Sequence, residues 1–285
     1  MRTILVNLEI SPVLDSVLQS ALLVARRFGS YIEGLHMRPG QPDIIAAGAD
    51  GFVAAAPDLV ASFEREARDR AERARNVFEE FMAANDLPRA TGQPGESAVS
   101  ADWRIEVTSG HGAIGNIGRV FDLLVVGRPL ADSVSPSMAA LETALFESGR
   151  PLLIAPPDRP TTLGENILIT WNCSTETART VVFAMPLLTR AKHITVISVQ
   201  RETVPGPSAA ELARNLQRHG LSVEWREVGP SARTTGDAIM REARIAGADL
   251  IIKGAYTQSR LRQMIFGGAT SYILAESELP VIMAH

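Results

Sequence analysis

The sequence Asp122-Leu-Leu-Val-Val-Gly127 returns as Asp249-Leu-Ile-Ile-Lys-Gly254, and this repetition constrains the chain more than any other feature. In each copy an acidic residue opens an apolar run of strand length and a glycine closes it, the pattern of a strand buried on both faces. Ile4-Leu-Val likewise corresponds to Ile167-Leu-Ile, and Pro151-Leu-Leu-Ile to Pro280-Val-Ile-Met. The offset between copies falls from 163 residues at Ile4 to 127 at Gly127, so the first half carries 36 additional residues within the loop and long helix of 38–95. Strands alternating with helices twice over predict an α/β fold of two tandem doubly wound parallel five-stranded sheets with helices on both faces. Their crossovers would be right-handed.

Three prolines and a glycine between Pro156 and Gly164 interrupt regular structure. This divides the chain into a domain of residues 1–157, a linker of 158–164 and a domain of 165–285. In the first domain Ser11-Pro12 reads as an N-cap with proline at the first helical position, ahead of a helix that Gly29 closes. Val60, Phe63, Ala67, Ala71, Ala74, Phe78 and Phe81 share one face of the longest helical pattern, whose other face is a solvated run of Arg and Glu. In the second domain Ser174 caps a helix through Leu188, His193–Val199 is a strand, and Thr270–Ala275 lies in a helix.

Composition excludes several functions. A net charge of -4 with scattered Lys and Arg leaves no electrostatic footprint for nucleic acid or an anionic membrane. No apolar run reaches about 18 residues, and the Met1-Arg-Thr-Ile-Leu-Val start reads as a strand, which predicts a cytoplasmic protein. Cys173, the single cysteine, allows no internal disulfide. Lying where a strand becomes a helix, with no positioned base in view, it reads as a packing residue rather than a nucleophile. The five histidines are dispersed, so no metal site is expected.

The stretch from Asp249 to Leu274 is the better preserved copy. An apolar run ends at Gly254, a polar loop follows, and Gly267-Gly268 open a helical pattern. Bare N–H groups at a helix start suit a phosphate. With the repeated strand–helix order around it, the chain resembles a bacterial tandem universal stress protein, two such domains in one polypeptide. In that family the fourth strand ends in glycine, two residues, glycine, nine residues, glycine and Ser/Thr. Here Gly254 is followed by Thr257 in the second glycine's place, by Gly267 after nine more residues, by Gly268 in the hydroxyl slot and by Thr270 two further on. The Ala-Tyr-x-x-Ser-Arg-Leu-Arg stretch, the Gly-Gly-x-Thr turn and the ending Leu-Pro-Val-Ile-Met-Ala-His carry the same likeness. It spans the whole chain, more faintly in the first half.

The resemblance implies a Rossmann-like, adenine nucleotide alpha hydrolase-like fold and one ATP-type site, in the second domain. Gly267, Gly268, Ala269 and Thr270 would hold phosphates, and Gly254 and Thr257 would approach the ribose. Asn172, in the place of the family's Asp, and the backbone of Val199 would frame the adenine. Mg²⁺ would accompany ATP, because fixed positive charges are few. Lys253 reads either as a cation aimed at phosphate or as a snorkelling stem. Arg260 and Arg262 either close over phosphates or pair across the domain interface.

In the first domain Arg128-Pro129-Leu130 follows Gly127, and Met138-Ala139 replace the glycine and hydroxyl. A phosphate cradle of the family kind is therefore absent there. Ser133, Ser135 and Ser137 read as loop and cap residues, and the first domain as a structural partner in an intramolecular pseudo-dimer. The leading expectation is a stress-response protein that binds an adenine nucleotide and is regulatory rather than catalytic. A member that binds no nucleotide and serves as an interaction or dimerisation module is the alternative, supported by Thr257, Asn172 and the shortened first-half loop; a slow ATPase is the third. Whether two chains associate, through the last strands or through the long helix, stays open.

Overall fold

A computed structural model of the chain describes residues 1–40, 57–90, 98–108, 112–131, 133–200, 203–229, 234–255 and 268–285. The first half runs β1 (Thr3–Asn7), α1 (Leu14–Phe28), β2 (Tyr31–Pro39), α2 (Pro57–Ala84), β3 (Ser100–Thr108), α3 (Gly112–Gly118), β4 (Leu123–Gly127), α4 (Met138–Glu147) and β5 (Leu152–Ala155). The second runs β6 (Asn166–Thr170), α5 (Thr175–Leu188), β7 (His193–Val199), α6 (Ala209–Arg218), β8 (Val223–Val228), α7 (Thr235–Ile245), β9 (Leu250–Gly254), α8 (Gly268–Glu276) and β10 (Val281–Ala284). Parts of the 38–95 insertion, residues 41–56 and 91–95, lie outside the described residues.

Each half is a parallel five-stranded unit, and the two units share one sheet. The strand order is β3-β2-β1-β4-β5-β10-β9-β6-β7-β8, with β5 and β10 antiparallel. Ile154 stands opposite Val281, and Leu152 opposite Met283. Both strands are apolar and buried along their length, so an unpaired edge there would leave backbone N–H and C=O groups without partners. Pairing them with each other satisfies those groups and leaves β3 and β8 at the outer edges.

Side chains alternate across the sheet, and the core divides accordingly. Ile4, Val6, Ile167 and Ile169 meet α1, α2, α5 and α6 on one face, whereas Leu5, Leu168 and Ile251 meet α3, α4, α7 and α8 on the other. The apolar stripe of α2 is buried at Ala67, Ala71, Ala74 and Phe78. Ser174 caps α5 as expected, its hydroxyl accepting the Thr177 N–H at 3.2 Å. Ser11 does not cap α1: the helix begins at Leu14 behind Val13, and the Leu14 N–H reaches the Ser11 carbonyl at 3.2 Å. A turn over Ser11–Val13 has replaced the cap, and the Ser11 hydroxyl is left buried with no partner among the described residues.

The proline-rich connection between the halves runs along α1. Ser16 Oγ donates to the Asp158 carbonyl at 3.0 Å, Arg159 pairs with Asp15 at 3.1 Å, and Arg27 donates to the Leu163 carbonyl at 2.6 Å. Among the described residues, no helix is long and apolar enough to cross a membrane.

Candidate functional site

The acidic residue that opens each repeated motif ties the start of one strand to the start of another. Asp249 accepts three backbone N–H groups in a row, from Gly164 at 2.9 Å, Glu165 at 3.0 Å and Asn166 at 3.0 Å. Asp122 does the same for Arg2 at 2.5 Å and Thr3 at 3.2 Å. The repeat itself held the signal for this role, because an acid is kept at the mouth of two buried strands. These ties align β9 with β6 and β4 with β1, so that each pair ends together at its carboxyl end.

At that end of the second half the chain turns out of β6 through Trp171, Asn172 and Cys173. Asn172 Oδ1 accepts the Thr177 hydroxyl at 2.5 Å and the Ser174 N–H at 3.3 Å, which leaves the side-chain amide as its remaining donor. Next to it, backbone direction alternates along β7. The Ile197 carbonyl faces β6 and takes the Trp171 N–H at 2.7 Å, whereas Gln200 N–H faces β8 and reaches the Val228 carbonyl at 3.0 Å. Val199, two residues beyond Ile197, therefore directs its N–H and C=O to the β6 side, where β6 has already ended. Asn172 and the Val199 backbone, the two groups expected to frame an adenine, thus lie at the carboxyl ends of the paired strands β6 and β7.

The segment after β7 folds over the same turn. The Val204 N–H reaches the Asn172 carbonyl at 3.1 Å, and the Pro207 carbonyl accepts both Trp171 Nε1–H at 2.7 Å and the Cys173 thiol at 3.1 Å. Trp171 and Pro207 also wall a groove of about 510 Å³ along α6, on the sheet face opposite α8.

Gly254 ends β9 against the first turn of α5. A Cβ there would lie 2.5 Å from the Thr177 nitrogen and 2.8 Å from its Cα, so packing is sufficient to require a glycine. One residue earlier, Lys253 donates to the Gly254 carbonyl at 3.0 Å and to Thr270 Oγ1 at 2.9 Å. Thr270 is buried in the first turn of α8, which opens at Gly268 and Ala269. An ammonium group thus stands beside the amino end of a helix, against the direction of the helix dipole. Thr257, Gly267, Arg260 and Arg262 lie outside the described residues.

The first half answers with the opposite charge. Glu9, the counterpart of Asn172, accepts the Ser137 N–H at the start of α4 through Oε2 at 2.8 Å and the Asn7 amide through Oε1 at 2.7 Å. Val126 stands where Lys253 stands, and Ser137 Oγ caps α4 by accepting the Ala140 N–H at 3.1 Å. Ser133 Oγ donates to the Ser135 carbonyl at 2.6 Å, so these serines are loop and cap residues. A carboxylate of the chain already lies where an anion would approach α4. His36 closes the end of β2, its ring donating through Nδ1 to the Leu8 carbonyl at 2.8 Å and stacked on Trp103; burial lowers its pKa.

Cys173 has φ +66°, a left-handed backbone that an L residue adopts at some cost. Its thiol pKa is raised, chiefly by burial and secondarily by Glu211, with the Trp171 contact opposing. A raised pKa means less thiolate at any given pH, so alkylation by iodoacetamide at pH 8 is expected to run several-fold slower than for free cysteine. A rate equal to or above that of free cysteine would contradict the packing role. Among the described residues, no group of His, Cys, Asp and Glu is arranged to hold a metal ion.

Two parallel α/β units, joined through their last strands and carrying helix starts at the carboxyl ends of their strands, define the class of this protein. Residues 175–285 match the sequence model of the universal stress protein family. Across its whole length the chain is similar in fold to a universal stress protein of Archaeoglobus fulgidus, at 14% identity and a TM-score of 0.72, with 99% of this chain and 95% of that one covered. It is also similar in fold to a functionally unknown protein of Pseudomonas aeruginosa, at 18% identity and a TM-score of 0.54, covering 100% and 92% of the two chains. No curated protein sequence matches it.

Proposed function

We propose that the second half binds an adenine nucleotide, ATP or a relative, and that the protein is regulatory rather than catalytic. The observation that carries this reading is the Lys253 ammonium held on Thr270 at the amino end of α8. A cation and a helix start repel each other, and an anion placed between them is attracted by both. Gly268, Ala269 and Thr270 would contact the phosphates, with Gly267 preceding them and Thr257 and Gly254 on the ribose side. The Asn172 amide and the Val199 backbone groups match the acceptor and donor edge of an adenine. Mg²⁺ would arrive on the phosphates.

The test is equilibrium titration of ATP into the purified protein and two variants. Saturable binding is expected, weakened about tenfold in Lys253→Met, the value of one charge-assisted hydrogen bond. In Gly268→Glu, where a carboxylate enters the phosphate seat, binding should be lost. A parent protein that shows no saturable binding would sink the proposal.

One observation favours a second reading, an interaction module with a closed site. The segment from Val204 to Pro207 already covers the turn at Asn172 and Cys173. On that reading the same titration stays flat for all three proteins.

A further inference from the structure

The helix α8 that opens at Gly268 is held at its other end by the opposite half of the chain. Ser277, just past the helix, is 1% exposed, and its N–H continues the helical ladder to the Ile273 carbonyl at 2.9 Å. Its own carbonyl belongs to the negative end of the helix dipole, α8 has no basic residue in its last turn, and Glu276 and Glu278 flank the position. This end of α8 therefore concentrates negative charge that no basic residue in its own last turn offsets.

Arg128 supplies the compensation. It follows β4 in the first half, where its backbone N–H extends the sheet by reaching the Ala155 carbonyl at 3.1 Å. Its Nη1 donates to the Ser277 carbonyl at 2.7 Å, and Glu276, Glu278 and Asp158 all lie within electrostatic reach of the guanidinium. The Arg128 Nε–H is buried with no partner among the described residues, so the side chain is committed to this one direction. The position in the second half that corresponds to Arg128 is Ala255, which has no side chain able to return the contact.

We propose that Arg128 is a positioning residue through which the first half sets the placement of α8, and with it the anion-receiving end of the site in the second half. The contact is made in one direction only, by a side chain of the first half, since Ala255 at the corresponding place returns none. It rests on the reading of the α8 start as a phosphate seat, but the hold of Arg128 on α8 is measurable without any nucleotide.

The experiment compares the full-length parent with Arg128→Leu and Arg128→Lys, by amide hydrogen exchange without nucleotide and by ATP titration. In Arg128→Leu, exchange across residues 268–277 is expected to quicken about tenfold and the ATP dissociation constant to rise about tenfold, as for loss of one charge-assisted hydrogen bond. Arg128→Lys, which keeps the charge, should restore most of both. Unchanged exchange in Arg128→Leu overturns the proposal whatever ATP does. Quickened exchange confined to residues 274–277 also overturns it, because Arg128 then only caps the helix end. If exchange quickens throughout α8 while the parent binds no ATP, the hold on α8 stands and the nucleotide reading alone fails.

Discussion

Replacing Asp249 by alanine is expected to destabilise the protein by about 3 kcal/mol, the largest loss from a single side chain outside the core. Its carboxylate accepts three consecutive N–H groups at the entry to β6, at 2.9, 3.0 and 3.0 Å. A hydrogen bond to a charged group contributes roughly 1.5–3 kcal/mol, and water replaces part of it at a half-exposed strand start. At this chain length the loss corresponds to a fall of roughly 5 °C in Tm. Asp122→Ala, with two N–H partners, should lose less, and Asp249→Asn should keep about half of the effect. Urea unfolding of the four proteins checks the order, and an Asp249→Ala midpoint equal to the parent's would refute it.

Gly254→Ala is the second large effect, expected to cost about 3 kcal/mol or more and to lower soluble yield. The added methyl would sit 2.5 Å from the Thr177 nitrogen and 2.8 Å from its Cα, both backbone atoms of α5. Relief requires moving the helix away from β9, which also unseats Ser174 and Asn172 at the turn. Gly127→Ala in the first half meets Pro136, Val13 and Val17 side chains instead, so it should be the milder of the two. Thermal unfolding and solubility of both variants, compared side by side, decide this, and equal tolerance at the two positions would show that the approach to α5 is not the constraint.

The order of elements was legible because buried parallel strands read as unbroken apolar runs bounded by glycine, and because the pattern occurs twice. Helix starts were legible where a cap acts locally, as at Ser174, and misread where Ser11 entered a turn instead. The joining of β5 to β10 was not legible, since an apolar strand has the same sequence whether its partner lies in its own unit or across a junction. Of the site, Asn172 and Val199 were legible only by analogy of position, as residues at the ends of the first and second strands of the second half. The contacts that explain the charges were hidden by distance along the chain. Glu9 meets Ser137 across 128 residues, Asp249 meets Gly164 across 85, and Arg128 meets Ser277 across 149. Only the recurrence of the acid in both motifs hinted at one of them.

The antiparallel junction between β5 and β10 has a consequence for how the protein responds to dilution. Two separate chains meeting through their last strands would part as their concentration falls. Here the partners are tethered by the short stretch between Ala155 and Asn166, so each edge meets the other at an effective concentration on the order of millimolar or above, whatever the amount of protein present. The contact between Arg128 and α8 shares that tether, and its influence is thus independent of expression level.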